Sequence, residues 1–391
     1  MGFAGDVAVP VSDGWAEWLA HADALAAVGD PRGEAIRREH RSGGESAETV
    51  AAYGRVEREC GLDLLRADGS WRFTWSRGFV DKAVFRLAPD PGRRRRVLVE
   101  RLLAERSPTG PFGGGEVDPA DPEQWEGVLV DALLSHPAAR LLRGLDLHLT
   151  DYHHSAERAA VALGRRRWPR LASLSFGHGF DTLLESHTTS AGNSVVPEVY
   201  LNAAVVPEEV ARALWGSLPA LRSLELEGAF LFDDVEHDGL AHLRVRGAVF
   251  ADGSLFPSAT PALVSLEVEI DCDVHGTMGT NAQLAEPAPA RYPRLRSLDL
   301  GGAHFEPEEA GDFVLLAEHP LLAQLEHLGI RELVIGAADA DGDLDPPALL
   351  AALAPRFAYL ELRVAGDVDV EGADDEEVAR MLPALGTVPA P

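Results

Sequence analysis

Four side chains that commonly bind metal ions occur within seven residues of this 391-residue chain: His148, Asp151, His153 and His154. Imidazole and carboxylate groups are frequent ligands of zinc and iron. The spacing, however, matches no helical two-histidine motif, and the segment follows a strand-like stretch and enters a turn. Side chains in such a segment point in different directions. A solvated surface is the simpler interpretation, and a metal-dependent site at His148–His154 is the alternative hypothesis.

A second group of candidate ligands lies in one acidic loop, where carboxylates alternate at Asp339, Asp341, Asp343 and Asp345. Such carboxylates offer the oxygen ligands that calcium prefers. The pattern is incomplete, because Gly342 comes too early and Leu350 occupies the position of the expected bidentate acid. The loop is therefore interpreted as a solvated turn, and a metal-dependent Asp339–Asp345 site as an alternative.

Other catalytic patterns are weaker. The glycines from Gly113 to Gly115 lack the Gly-Lys-Ser/Thr end that contacts phosphate. Cys60 and Cys272 have no neighbouring histidine in a known motif, and the sequence has no Gly-x-Ser-x-Gly elbow. No catalytic residue, metal site or cofactor is assigned, and a non-enzymatic role is favoured. An enzyme, or an enzyme's regulatory subunit, stays an open alternative.

The elements that would position any site follow a repeated pattern, apolar-x-x-apolar-x-apolar-x-x-small. It is clearest in Leu221 to Ala229 (LRSLELEGA) and Leu295 to Ala303 (LRSLDLGGA). The same frame fits segments around Leu145, Leu174, Val199, Leu243, Leu266, Leu333 and Leu360. Each segment alternates apolar and polar residues as a strand with one buried face does, and helix-like stretches separate the strands.

A single repeat with this pattern cannot bury its apolar face alone, so the repeats must stack. The sequence therefore predicts an α/β fold: a leucine-rich-repeat-like, right-handed solenoid with a parallel concave sheet. Alanine, rather than the usual asparagine, follows most strands, at Ala204, Ala229, Ala248, Ala303, Ala338 and Ala365. The turns must then satisfy their backbone groups through water or neighbouring backbone. An irregular parallel α/β sheet is the rival interpretation.

The N-terminal part has a different pattern, with helical periodicity over Trp15 to Val28, Pro31 to His40 and Ala47 to Cys60, and a strand-like stretch from Trp71 to Leu87. The segment GDPRGEAIR, from Gly29 to Arg37, resembles the signature of the bacterial repeat-companion domain. The following WSRGF is similar to an element found at the entry to leucine-rich-repeat-like arrays. This resemblance implies architecture and transfers no catalytic residue.

Elementary capping rules also account for the GDPRGEAIR motif. Asp30 can cap the following helix, Pro31 suits its first position, and Glu34 lies where a capping-box acid would reach back. The predicted domains are a helical repeat-companion module at 1–70, an entry strand and helix at 71–109, a linker or exposed loop at 110–121, and an irregular array with a C-terminal cap at 122–391.

Charge limits the classes of partner. The 63 acidic residues outnumber the 35 basic ones and give a net charge of −28, which repels nucleic acid and anionic membranes. The run Arg93 to Arg96 is interpreted as a solvated helix face. With only two cysteines and neither a signal-like start nor a membrane-length apolar run, a cytoplasmic location is expected.

The outward positions of the predicted strands form one acidic surface. A basic protein or peptide is the complementary partner, and an adaptor or recognition subunit of a bacterial stress or defence system is the favoured role. The predicted partner-binding residues are Asp146, Glu198, Tyr200, Glu225, Glu227, Glu267, Glu269, Asp299, Glu332, Tyr359 and Glu361.

Overall fold

The structure is a computed structural model of the chain. It describes residues 9–10, 13–44, 46–89, 93–105, 118–120, 122–149, 152–178, 187–188, 194–195, 205–228, 230–247, 249–251, 254, 256–258, 260–269, 289–305, 310–336, 345–381 and 385–387. These residues form a mixed α/β fold in which most strands pair in parallel.

The chain divides into two compact units. Unit 1 contains Met1–His178, Thr188–Ser194 and Ala213–Leu221, and unit 2 contains Gly179–His187, Val195–Arg212 and Arg222–Pro391. The predicted linker at 110–121 lies inside the range of unit 1, mostly outside the described residues.

Unit 1 begins with a cluster of helices. Its helices are α1 (Trp15–Ala27), α2 (Arg32–Ser42), α3 (Ala47–Cys60), α4 (Leu62–Asp68), α5 (Arg93–Glu105), α6 (Trp125–Leu134) and α7 (Tyr152–Gly164). Helix α1 packs closely on α2, because Gly33 brings the two backbones together: a Cβ there would lie 2.5 Å from the carbonyl oxygen of Ala22. The predicted helical N-terminal module is therefore consistent with the observed elements.

The strands of unit 1 are β1 (Trp71–Ser76), β2 (Phe79–Arg86), β3 (Gly144–Leu149) and β4 (Ser173–His178). β1 and β2 form an antiparallel hairpin, and β3 and β4 continue the sheet in parallel. The sequence predicted a single strand-like stretch here. The turn falls at Arg77 and Gly78, both of which have positive φ, a conformation that favours glycine.

The two motifs that carried the family resemblance contact each other. A Cβ on Gly78 would lie 3.1 Å from the side chains of Arg32 and Ile36, so glycine allows the hairpin to approach α2. The guanidinium of Arg32 lies over the ring of Phe79, 4.9 Å from its centroid. GDPRGEAIR and WSRGF are thus the two sides of one packed junction.

Arg32 also makes a buried ion pair with Asp30, whose carboxylate accepts from the Arg32 Nη2 at 2.6 Å and from the Arg32 backbone N–H at 3.0 Å. Asp30 therefore satisfies a backbone donor at the start of α2, as predicted. The expected capping-box role of Glu34 is wrong, because its carboxylate accepts from Arg38 instead, at 2.7 Å. The prediction of a solvated Arg93 to Arg96 is wrong for Arg95, which is buried against Asp68.

Unit 2 is organised around a parallel sheet. Its strands are β7 (Ser223–Glu227), β8 (His242–Arg246), β9 (Ser265–Glu269), β10 (Ser297–Phe305), β11 (His327–Ile335), β12 (Glu361–Val364), β13 (Val368–Val370) and β14 (Leu385–Thr387). From β7 to β12 each strand pairs with the next, β12 also pairs with β14, and β13 pairs with the C-terminal half of β11. The helices are α9 (Ala310–Glu318), α10 (Pro346–Phe357) and α11 (Asp375–Met381).

Three elements fall in the segments where the two units alternate along the chain: the short strands β5 (His187–Thr188) and β6 (Ser194–Val195), and helix α8 (Glu208–Ser217). Single 3-10 turns occur at Pro122–Gln124, Pro137–Ala139, Pro289–Arg291 and Pro320–Gln324.

Backbone hydrogen bonds repeat from strand to strand in unit 2. The carbonyl of Arg222 accepts from the N–H groups of Ala241 and His242, and the carbonyls of Ala241, Val264 and Arg296 each accept in the same way from the strand that follows. The turns after the strands are also bonded to their neighbours: the N–H of Gly228 donates to Arg246, and that of Gly247 to Glu269. In these two turns neighbouring backbone accepts the described N–H groups, which is one of the two solutions that the sequence allowed.

Candidate partner-binding face

The outward residues of the unit 2 sheet align in rows because the strands are in register. The middle row consists of Glu225, Arg244, Glu267, Asp299, Gly329 and Arg363. The first row, nearer the strand starts, consists of Ser223, His242, Ser265, Ser297, His327 and Glu361. The leucines and valines between these positions are buried on the opposite side. These two rows, together with the third row of Glu227, Arg246 and Glu269, define what we call the charged face.

Two arginines on β8 neutralise acids on both neighbouring strands. Arg244 lies 3.1 Å from Glu225 on β7 and 2.8 Å from Glu267 on β9. Arg246 lies 2.9 Å from Glu227 and 3.1 Å from Glu269. Four of the predicted partner-binding acids are therefore paired within the chain, and this half of the charged face is a network of opposite charges.

Asp299 is the exception. Its exposed side chain makes no ion pair or hydrogen bond with any residue that the structure describes. The carboxylate lies over Gly329 on the next strand, where a Cβ would meet Asp299 Oδ1 at 2.5 Å and Cγ at 2.7 Å. The missing side chain at Gly329 thus makes room for the carboxylate of Asp299, which lies where a Cβ of residue 329 would be.

The electrostatic environment of Glu267 and Asp299 disfavours their negative charges. Burial against the sheet raises the pKa of both carboxyl groups, and Asp299 adds to the effect on Glu267 by charge repulsion. Arg244 and Arg363 oppose these shifts without cancelling them. Arg363 is itself engaged with Glu361, its Nε lying 2.9 Å from Oε1. The centre of the face therefore has more negative charge than its cations balance.

Three residues of the first row occur in the order of a serine-hydrolase triad. Ser297, His327 and Glu361 are register neighbours on β10, β11 and β12, and His327 Nδ1 lies 2.7 Å from Glu361 Oε2. The hydrogen bond that would activate the serine is missing in the described part of the chain, because none joins Ser297 to His327. Glu361 is also shared with Arg363. The row is thus arranged for polar contact, without the nucleophile and base coupling of a triad.

The remaining predicted binding residues have different positions. Asp146 is on β3 of unit 1, 3.9 Å from Arg86. Glu332 lies in the C-terminal half of β11, where its partner on β10 is His304. Tyr359 precedes β12 and is 93% exposed. Glu198 and Tyr200 lie outside the described residues.

The candidate metal segments are only partly described. His148 is on β3, whereas Asp151, the side chains of His153 and His154, and residues 339–344 lie outside the described residues. Within the part of the chain that is described, no three metal-binding side chains cluster. Cys60 is a free thiol. Burial raises its pKa to about 12, so it is a poor nucleophile. None of the described helices is long and apolar enough to cross a bilayer.

Sequence reasoning selected the acids of the charged face but missed the role of Gly329. It also missed the triad-like row, since its members are about thirty residues apart and meet only through strand register. A glycine at an outward strand position is the one sequence signal that indicated a close approach at this point of the sheet. Compared with models of known protein families and with curated proteins, the chain matches none.

Proposed function

We propose that the chain is a non-enzymatic binding protein that recognises a basic protein or peptide through the charged face of unit 2. In this proposal unit 2 is part of a leucine-rich-repeat-like solenoid, the N-terminal helices belong to a repeat-companion domain, and the protein acts as an adaptor or recognition subunit. The parallel strands, the repeated backbone hydrogen bonds and the packed junction of the two N-terminal motifs support this architecture.

The observation that carries the proposal is the carboxylate of Asp299, which lies beside Glu267 and above Gly329 and is not paired with any residue that the structure describes. Because Gly329 adds no side chain beside Asp299, a lysine or arginine side chain from a partner can approach both carboxylates from solvent. Its charge favours the ionised forms of both groups, which burial and, to a smaller extent, charge repulsion disfavour. The paired acids on β7 and β9 contribute long-range attraction, which steers a basic partner towards the face.

The test uses a fluorescein-labelled peptide of alternating lysine and threonine, titrated with the full chain and followed by fluorescence anisotropy at low salt. The double variant Glu267→Gln, Asp299→Asn keeps the shape of both side chains and removes their charge. Each exposed ion pair contributes about 0.5–1 kcal/mol, so we expect binding to weaken roughly fivefold to thirtyfold.

The matched control is Glu227→Gln, which removes one charge from the same face but from a residue already paired with Arg246. It should weaken binding by less than about threefold. A glutamate-containing version of the peptide should not bind. The proposal is wrong if the double variant binds the lysine peptide as tightly as the unaltered chain.

A further inference from the structure

Unit 1 contains a cavity that none of the charged-face residues line. It lies between helix α3 and strand β1, has a volume of about 310 Å³ and is open to solvent. Val50 and Gly54 of α3 line one side, and Phe73, Thr74 and Trp75 of β1 line the other. This volume suits a single large side chain or a small organic ligand.

Two stacked aromatic rings form one wall. The rings of Tyr53 and Trp75 are 5.4 Å apart at their centroids and inclined by only 16°. Their polar atoms are already bonded: Trp75 Nε1 donates to Glu57 at 2.6 Å, and the Tyr53 hydroxyl donates to Glu39. Burial raises the pKa of Tyr53, which keeps the hydroxyl protonated. The wall is therefore rigid and presents ring surface rather than free polar groups.

The lining of the cavity carries excess negative charge. Glu57 is balanced by Arg66, whose Nη2 lies 2.6 Å away. Glu39 accepts from the Ser76 hydroxyl at 3.2 Å and from the Arg77 backbone N–H at 2.6 Å, in addition to the Tyr53 hydroxyl, and all three donors are neutral. Two carboxylates and one guanidinium thus line the cavity, so a cation is the complementary ligand.

The geometry of strand β1 favours binding of a partner side chain in the cavity over pairing of a partner strand with the sheet edge. β1 is the last strand of the described sheet on its side, and such an edge can pair with an extended peptide. At Phe73, however, the outward carbonyl already accepts from Arg66 Nη2 at 3.2 Å. This contact blocks the ladder of backbone bonds that strand addition requires, while the cavity itself stays open.

We propose that this cavity binds an arginine side chain of a partner protein. The planar guanidinium stacks on the Tyr53–Trp75 wall, where a ring surface attracts a cation, and its charge lies beside Glu39. Val50, which is 53% exposed at the rim, contacts the methylene stem. The site is independent of the charged face, so either can fail without the other.

The probe for the test is acetyl-Gly-Arg-Gly-amide, titrated into the full chain and followed by NMR or calorimetry. Its citrulline analogue has the same shape and no charge. We expect saturable binding of the arginine peptide and at least about tenfold weaker binding of the citrulline peptide, since a charge-assisted contact is lost. Equal binding of the two peptides would show that the cavity does not recognise charge and would overturn the proposal, as would no binding of either.

Gly54→Leu locates the site. A Cβ at Gly54 meets only the Arg58 Nη1, at 3.7 Å, so the larger side chain fits and projects into the cavity, and it also favours the helix. It should weaken binding at least about tenfold. The control, Ala51→Leu, adds the same side chain at an exposed position of α3 outside the cavity and should bind normally. Unchanged affinity in Gly54→Leu, with both variants folded by circular dichroism, places the peptide elsewhere and refutes the proposal.

Discussion

Replacing Asp30 by asparagine is the sharpest test of what the GDPRGEAIR motif does. Asparagine keeps the size of the side chain and can still accept the Arg32 backbone N–H, but it removes the charge that the Arg32 guanidinium contacts through Nε and Nη2. Both side chains are almost completely buried, at 0% and 2% exposure. The variant therefore removes the Asp30 charge from beside a buried guanidinium.

The expected loss of stability is large. Breaking one partner of a buried ion pair destabilises a protein by about 3–5 kcal/mol. The surroundings of Arg32 favour the upper part of that range. Arg140 lies against the same Phe79 ring and its pKa is lowered by burial and by the charge of Arg32, so the two cations already repel each other. Asp30→Asn with Arg32→Met should recover much of the loss, because the buried charge is then gone.

Urea unfolding followed by tryptophan fluorescence isolates the effect. All seven tryptophans of the chain lie in unit 1, so their signal reports on the unit that contains the mutation. The control is Asp23→Asn, which breaks an exposed ion pair with Arg37 and should change the free energy of unfolding by less than about 1 kcal/mol. If Asp30→Asn destabilises unit 1 no more than Asp23→Asn does, the motif is not the structural junction described above.

Three further predictions follow from specific contacts. Gly33→Ala should lower the stability of unit 1 by about 1–3 kcal/mol in the same urea assay, because its Cβ would overlap the α1 backbone; an unchanged midpoint contradicts the close approach. Affinity for the lysine peptide should fall as pH is lowered towards the raised pKa values of Glu267 and Asp299, because the peptide binds their ionised forms and releases their protons. The loss should begin above the ordinary carboxyl range near 4. Anisotropy titrations between pH 7 and 4.5 measure this, and an affinity that does not change with pH argues against these two carboxylates. A fluorophosphonate probe should leave Ser297 unlabelled by mass spectrometry, since His327 does not bond to it; labelling that His327→Ala abolishes would reinstate the triad.

Local patterns predicted the elements better than their pairing. The limits of α3 agree with the sequence prediction from Ala47 to Cys60, where a serine cap and a following glycine mark both ends. The hairpin turn at Arg77 and Gly78 was missed because apolar and aromatic residues continue on both sides of it. At Arg77, where φ is positive, the backbone N–H donates to Glu39, which is far away in sequence.

Register was the harder problem. The sequence frame aligned Leu333 with Leu298, whereas the structure pairs Leu298 with Leu328, five residues earlier. Apolar residues recur along β11, so the repeated sequence pattern fits this strand both at Leu328 and at Leu333. At the other end of the sheet Leu362, rather than Leu360, is the partner of Leu328. Only the hydrogen bonds to neighbouring strands distinguish these alternatives.

The candidate site depended on that same register. Composition and alternation were sufficient to select Glu225, Glu267 and Asp299 as outward acids. They could not show that Arg244 contacts two of these three, because one arginine lies between two strands only when both neighbours are aligned. Whether Asp299 has a partner among the described residues depends on the side chains of the neighbouring strands, so no single segment of sequence contains that information.

The arginine strand β8 separates two strands that carry glutamates at the same register positions. Without β8, Glu225 on β7 would lie opposite Glu267 on β9, and Glu227 would lie opposite Glu269. Like charges directly opposite each other destabilise a sheet. An internal deletion that removed β8 would therefore destabilise the sheet by bringing these glutamates together, so β8 acts as an electrostatic spacer between two acidic strands.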